Sequence, residues 1–375
     1  MPAGTHRRCA MKLLVVMKPS TDPITHHELE ISYARMIGIF LGSGFEAAFR
    51  FARSIEELDT ALAEIKPDLV LCGIDHLPPR LHEDRHNEHH NDQHESHDAA
   101  QINIHEYFEE TKVPYIGQTP GVLELALSKS ALKRRWKQAG VSTPSWTVVE
   151  AGALEPPDIN ALSDYPYLLK PENLGNSKLI SEASIAYSAD DIRHIMTTLR
   201  KEYDGPVLIE HYLGEYTDVQ EITCAMIECE HTMICMPMRL GFAEPKARHL
   251  ITAEDKDRHR TRISALDPEL KEQAARFAAL AFKAAGVRDY ARGDFFHAGG
   301  SFHAIEINGQ PMIPDRWFEG CAKFSGLSEA NYLVGIVAAG WERLAGEGKL
   351  HEPLPEGAQA LLLPLRRLRS SMRGA

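Results

Sequence analysis

Apolar residues in the first third of the chain fall in short blocks between polar turns, and the blocks alternate between two periods. Met11 to Met17 is a strand-length apolar run, Lys18 to Pro23 is a polar turn, and a helical spacing covers Glu30 to Ile39. A strand is predicted near Phe45 to Phe51, a helix over Ile55 to Ile65 and an apolar strand over Asp68 to Gly73. Strands alternating with helices in this way predict an α/β domain with a parallel sheet wrapped by helices.

Residues 76–105 interrupt that order. The stretch "LHEDRHNEHHNDQHESHD" is nearly free of apolar side chains. His86, His90 and His94 are spaced i, i+4, i+8, which on a helix puts three imidazoles on one side, a spacing suited to zinc or nickel. Acids and amides dilute those ligands and no thiolate joins them. The composition therefore predicts a mobile, solvated insertion, because it cannot bury enough surface to offset its ordering entropy.

Order resumes at "VPYIGQTP", followed by a helix through Lys129 to Ala139 that stops at Gly140. Pro166 to Lys170 reads as a strand, Ile180 onward as strand-like, Asp190 to about Leu199 as a helix and Val207 to Glu210 as a strand. Two apolar strands from Glu221 to Met236 flank a turn near Glu228 to His231. Asp267 and Pro268 make an N-cap and first helical residue, and Leu270, Ala274, Phe277, Ala281 and Ala284 form one apolar face ending at Gly286. A last helix is predicted over Glu329 to Leu344, and the tail with Arg366, Arg367, Arg369 and Arg373 reads as a solvated basic end.

The bulk numbers narrow the class. A chain of 375 residues has room for two or three domains. A net charge of -12 argues against a general nucleic-acid binder, since phosphate backbones are held mainly by excess Lys and Arg. No apolar run approaches the roughly 18 residues of a membrane span, and Leu13 to Met17 is too short for a signal-peptide core. Six cysteines without a C-x-x-C pair read as reduced, mostly buried thiols. A soluble cytoplasmic protein, with no nucleic-acid or membrane partner, is the expectation.

Three stretches carry candidate chemistry. "YARGDFFHAGGSFHAIEINGQP", residues 290–311, reads as two strands joined by a glycine turn. Strand alternation puts Arg292, Asp294 and Phe296 on one side of the first, and Phe302, Ala304, Glu306 and Asn308 on one side of the second, with His303, Ile305 and Ile307 opposite. For Asp294 to face Glu306 the loop must hold an odd number of residues, which Gly299-Gly300-Ser301 satisfies in the absence of a bulge. Two carboxylates and an amide oxygen suit Mg²⁺, which completes its shell with phosphate oxygens. In "YPYLLKPENLGNSKLI", residues 165–180, Lys170 precedes a loop with Gly175, Asn176 and Ser177. An ammonium and backbone N–H groups there could meet one phosphate chain, or the loop could be an ordinary Gly-Asn turn; the Walker A spacing is absent. In "GPVLIEHYLGEY", residues 205–216, a strand runs into Glu210, and the backbone from His211 to Leu213 could lie against a purine.

This order of pieces resembles the ATP-grasp superfamily, most closely the D-alanine:D-alanine ligase group, from about Met11 to Leu344. The most specific part is "ARGDFF...AIEINGQP", similar to that group's R-x-D...E-x-N-x-x-P. The resemblance implies an N-terminal α/β domain over 11–118 with the histidine-rich insertion at 76–105, a central lobe over 119–206, a C-terminal lobe over 207–347 and a tail over 348–375. It implies ATP and two Mg²⁺, with Mn²⁺ as a substitute, and a homodimer as the assembly. Asp294, Glu306 and Asn308 would be the metal ligands, and Arg292 would stabilise the acyl phosphate and tetrahedral intermediate. Lys129 and Lys170 would contact phosphates, Gly175, Asn176 and Ser177 cover the transferring phosphate, and Glu210 with His211, Tyr212 and Leu213 hold adenine. The ribose would fall to Glu221 or else Glu215, and the γ phosphate to Lys246 or Arg248, in a lid spanning Arg239 to Arg262. On the substrate side stand Arg292, Asn308, Gly309 and, through "HHELEIS", Glu28.

The implied activity joins an amino-acid-like carboxylate to an amine through an acyl phosphate, releasing ADP and phosphate. D-alanine:D-alanine ligation proper, or a non-catalytic nucleotide- or metal-binding protein, are the competing readings. Asn176, Leu179 and "NGQPMI" depart from the group's pattern at positions that border the substrates rather than the nucleotide.

Overall fold

The computed structural model describes residues 10–80, 101–244, 246, 248–257 and 260–373. The histidine tract around His86, His90 and His94, and Cys9, lie outside them. The N-terminal α/β domain contains β1 (Lys12–Met17), α1 (Pro23–Gly42), β2 (Glu46–Phe51), α2 (Ile55–Ile65), β3 (Leu69–Cys72), β4 (His76–Leu77), β5 (Ile102–Asn103), α3 (Ile104–Thr111) and β6 (Tyr115–Ile116). Its parallel sheet has the order β2-β1-β3-β6, as the alternation of strands and helices predicts. Period-2 alternation splits each central strand between two cores. Leu14, Val16 and Val70 pack with α2 and α3, while Leu13, Val15 and Leu71 face α1.

Helices α4 (Pro120–Leu127) and α5 (Lys129–Gln138) lead to a central sheet of β7 (Trp146–Val149), β8 (Tyr167–Pro171), β9 (Ile185–Ala186) and β10 (Val207–His211), with α6 (Ala189–Leu199) packed on one face. The order is β7-β10-β8-β9, with every pairing antiparallel. Two expectations are corrected here. β10, placed by sequence at the start of the C-terminal lobe, hydrogen-bonds between β7 and β8 and so belongs to the central sheet. Residues 176–179 form a turn and Glu182–Ser184 a short 3₁₀ helix, with Leu179 at φ 58° breaking the extended run and leaving only β9 as strand.

The C-terminal lobe is built on β11 (Gln220–Cys229), β12 (Thr232–Phe242), α7 (Ala253–Asp257), β13 (Thr261–Ser264), α8 (Pro268–Ala285), β14 (Tyr290–Ala298) and β15 (Ser301–Asn308). These strands make a five-stranded antiparallel sheet, β13-β12-β11-β14-β15. α8 is capped as expected: the Asp267 carboxylate accepts from Leu270 N–H at 2.9 Å, and Gly286 ends the helix at φ 75°. It covers the rear face together with α5, burying Trp136, Phe282 and Phe295. Each such side chain contributes about 1.5–3 kcal/mol by leaving water.

α9 (Arg316–Phe324), α10 (Glu329–Gly346), α11 (Glu356–Leu361) and α12 (Leu363–Arg373) complete the chain. α10 joins the N-terminal domain to the five-stranded sheet in one continuous core, and it approaches β6 so closely that a Cβ at Gly340 would lie 2.7 Å from Ile116. The basic tail is not a free solvated end. Leu362 and Leu365 are buried in the shared core, Arg366 Nε lies 3.0 Å from Glu230 Oε1, and Arg369 pairs with the same carboxylate. Among the described residues five cysteines are free and buried, and no helix is long and apolar enough to cross a membrane.

Candidate active site

The hairpin β14–β15 closes through a two-residue turn, with Gly299 at φ 58° and Gly300 at φ 71° and Ala298 paired to Ser301. Only glycine adopts two such values without steric cost. The expected three-residue loop is therefore wrong, and its parity alone would part the two acids. A bulge restores them: the register slips between Asp294 and Phe295, Ile305 is the extra residue, and Asp294 stands opposite Glu306. The bulge also corrects the expected faces. Phe302, Ala304 and Ile307 pack into the rear core, whereas Arg292 and Asp294 lie on the front face.

Arg292, Asp294 and Glu306 form a half-buried charged cluster. Arg292 Nη1 donates to Asp315 at 2.8 Å, its Nε lies 3.7 Å from Asp294 Oδ1, and its guanidinium sits 4.9 Å over the Trp317 ring. Burial disfavours its charge, but Asp294, Asp315 and Glu306 hold it protonated. Burial raises the Asp294 carboxyl, with Arg292 opposing and Glu306 adding to the rise. Burial also acts against Glu306, yet Lys129, Lys170, Lys256 and Arg292 outweigh it and keep its carboxyl below the usual range. The Asn308 amide oxygen accepts from Gln310 N–H at 3.0 Å, and Gly309 backs onto Leu123 and Gln118.

Facing this cluster are lysines from α5 and the central sheet. β8 and β10 alternate so that Lys170 and Glu210 share the face opposite the α6 core, as diagonal neighbours. Lys170 Nζ lies 2.5 Å from Glu210 Oε1, and Lys133 Nζ lies 2.9 Å from Glu210 Oε2. Burial pushes the Glu210 carboxyl up, but the two ammonium groups pull it further down, to about 2. Lys133, four residues beyond Lys129 on the same helical face, was missed by the sequence reading although the i, i+4 spacing could have flagged it. Lys129 Nζ donates to the carbonyls of Glu172 at 3.2 Å and Leu174 at 2.6 Å, gripping the loop after β8. The Glu172 carboxylate accepts from Ser128 Oγ at 3.0 Å and Ser130 N–H at 2.8 Å, a second residue missed.

The expected adenine contacts are narrowed. Glu210 is committed to two lysines, His211 N–H donates to Ser145 O at 2.9 Å and Tyr212 N–H to Pro166 O at 2.8 Å. Neither N–H is open to a purine edge, so of the backbone donors in the expected trio only that of Leu213 is left. In the loop after β8, Asn176 and Ser177 have φ 58° and 55°, and Ser177 Oγ donates to Ile251 O at 3.1 Å, so Ser177 touches the lid.

The lid is shorter than expected, since Arg239 to Phe242 belong to β12 and Thr261 onward to β13. Within it, Lys246 donates to both Asp255 oxygens at 2.6 Å, so its ammonium is tied inside the lid rather than presented to the cluster. Lys256, not singled out by sequence, sits 5.2 Å over Trp317. Arg248 lies 3.9 Å from Glu182 and 5.3 Å over Tyr187. Glu221 meets His249 Nε2 at 3.0 Å, and the Tyr187 hydroxyl donates to Glu215. Two adjoining cavities of about 530 and 780 Å³ share Val219, Phe242, Lys246 and His249, a size range ordinary for ligand sites. Glu28 is exposed in the second turn of α1 and is not drawn into the charged cluster.

Asp294 Oδ1 is buried with no hydrogen-bond partner, as a carboxylate oxygen awaiting a cation would be. Among the described residues no three His, Cys, Asp or Glu side chains converge. The donor set of two carboxylates and the Asn308 amide fits a hard cation that takes its remaining oxygens from phosphate.

The family model described as D-ala D-ala ligase C-terminus matches residues 135–336. A D-alanine--D-alanine ligase of Maridesulfovibrio salexigens is 27% identical over 259 residues, covering 65% of this chain and 80% of that protein. One from Cupriavidus necator is 24% identical over 338 residues, covering 86% and 95%. The structure is similar to that of the Bacillus anthracis D-alanine--D-alanine ligase complexed with ATP, with a TM-score of 0.64, 19% identity and coverage of 90% of this chain and 100% of that one.

Proposed function

Because this chain belongs to the D-alanine--D-alanine ligase family defined by that C-terminal region, we propose that it is an ATP-dependent carboxylate–amine ligase acting on amino-acid-like substrates. The observation that carries the reading is the half-buried pair Asp294 and Glu306, in register on one hairpin and flanked by Arg292, Lys129 and Lys170.

A carboxylate is a poor electrophile at neutral pH, so amide formation requires its oxygen to become a leaving group. In the proposed reaction the substrate carboxylate oxygen attacks the γ phosphorus of ATP and ADP departs. The amine nitrogen then attacks the acyl carbon, inorganic phosphate leaves and the nitrogen loses a proton. Asp294, Glu306 and Asn308 would hold Mg²⁺, taken here as two ions that Mn²⁺ can replace; bound there, the metal neutralises triphosphate charge. Lys129 and Lys170 orient the phosphate chain, and Arg292 faces the charge that develops on phosphoryl and acyl oxygens. The lid excludes water, which would otherwise hydrolyse the acyl phosphate.

The acid and amine are the finer part of the proposal. D-alanine on both sides is the narrow reading. A different acid or amine is favoured by Asn176 and Leu179, which depart from the ligase group's loop pattern. Phosphate release with a panel of amino acids, with and without Mg²⁺, tests this. Turnover with D-alanine alone supports the narrow reading and other pairs the wider one; silence with every pair supports a non-catalytic binder.

A further inference from the structure

Lys133 has no exposure to solvent, and removing an ammonium from water is unfavourable where an apolar side chain of similar volume would not be. Its contacts form a line between two sheets. Lys133 Nζ donates to Thr143 Oγ1 at 2.7 Å, and that hydroxyl donates to the Ala304 carbonyl at 2.7 Å. The Ala304 N–H donates to the Ser142 carbonyl at 2.8 Å, so residues 142–143 are stitched to β15 two positions before Glu306. On the other side, Lys133 holds Glu210 Oε2 at 2.9 Å while Glu210 Oε1 holds Lys170. The line therefore starts beside the metal-binding hairpin and ends on a phosphate lysine of the central sheet.

We propose that Lys133 is a positioning residue: it pins the Glu210 carboxylate, which fixes the Lys170 ammonium relative to the Asp294–Glu306 hairpin. This rests on the ligase reading above. Two ammonium groups on one carboxylate leave a net positive charge in a dry pocket, which suits a site that receives a polyanion. The same contacts give the device a pH dependence. Burial lowers the Lys133 ammonium to about 8, against the pull of Glu210 and with Lys170 adding to the fall; Glu172 and, from β15, His303 are the other titratable groups that sense it. Above that pH Glu210 keeps Lys170 as its only ammonium partner, and the Lys133 amine holds Thr143 and Glu210 without its charge.

The test compares wild type with Lys133→Met, Lys133→Arg and Thr143→Val, after thermal melts identify the folded variants. Lys133→Met is expected to lower kcat for phosphate release on the order of 100-fold, as misplacement of a catalytic group does, with the amine KM unchanged. Lys133→Arg restores part of the rate and removes the alkaline limb near pH 8, because a guanidinium does not deprotonate there. Thr143→Val, which keeps the ammonium, lowers kcat about tenfold. Equilibrium binding of ATP with Mg²⁺ reads the same line without turnover, and Lys133→Met is expected to weaken it roughly tenfold, a change of about 1.4 kcal/mol. A folded Lys133→Met protein with wild-type kcat, alkaline limb and ATP affinity would overturn the proposal. Wild type that binds ATP but releases no phosphate with any acid–amine pair would count against the ligase reading instead, and the binding comparison would still decide the role of Lys133.

Discussion

Asp294 and Glu306 face each other across the β14–β15 hairpin, yet their surroundings drive them in opposite directions, Asp294 toward the acid and Glu306 toward the carboxylate. A carboxyl whose folded pKa is raised opposes folding once pH exceeds its unfolded value. Asp294→Asn is therefore expected to hold or raise the melting temperature at pH 7 while lowering phosphate release by at least about 100-fold. A variant that melts lower and remains active would contradict both halves.

Glu210 shows the reverse sign. Its carboxyl is held at about 2, below the unfolded value, so the stability it contributes is present above about 4.5 and is lost as pH falls toward 2. Glu210→Gln at pH 7 leaves Lys133 and Lys170 buried without a counter-charge and is expected to destabilise by roughly 3–5 kcal/mol. Urea unfolding curves measure this directly.

His105 on α3 is wholly buried, and neither ring nitrogen has a hydrogen-bond partner. Burial, then Arg288 and His76, depress its pKa to about 4. Between about 6.5 and 4 the unfolded chain binds the extra proton, so stability falls as pH falls through that window. In His105→Phe the fall in melting temperature from pH 7 to pH 4 is expected to be shallower; an equal slope would assign the acid sensitivity elsewhere.

Asp289 joins the N-terminal domain to the C-terminal lobe. Its carboxylate, with no solvent exposure, accepts from Gly117 N–H and from Arg343 Nε and Nη2, each at 2.8 Å. Arg343→Met strands that charge and is expected to cost roughly 3–5 kcal/mol. Hydrogen exchange is expected to quicken first at Gly117 and the strands around it, and uniform exchange across the chain would contradict a local role.

Much of this architecture could be read from residue order. The parallel sheet followed from apolar blocks at strand length between helical spacings, and α8 from a cap, a proline and a terminal glycine. Those signals are local, and local backbone chemistry determines them. Features set by distant partners were not legible. Nothing within Val207 to His211 says that it pairs with β7 and β8, and nothing in the arginine-rich tail says that Glu230 receives two of its guanidinium groups. Within the candidate site, Arg292, Asp294, Glu306, Lys129 and Lys170 were readable from residue type and order. Glu172 and Lys256 matter through contacts that fold back from elsewhere, and of the three missed residues only Lys133 carried a local signal, its i, i+4 spacing from Lys129.

The hairpin also determines which mutations the chain can absorb in silence. Ile305 is the unpaired residue of the bulge, so its deletion would leave a regular ladder with Ala304 opposite Phe295 and Glu306 still opposite Asp294. A residue gained there, with the bulge still holding one extra, would instead set Glu306 opposite Gly293 and turn it toward the oily underside. Length is tolerated in one direction only: the hairpin can shed its spare residue but has no place for a second.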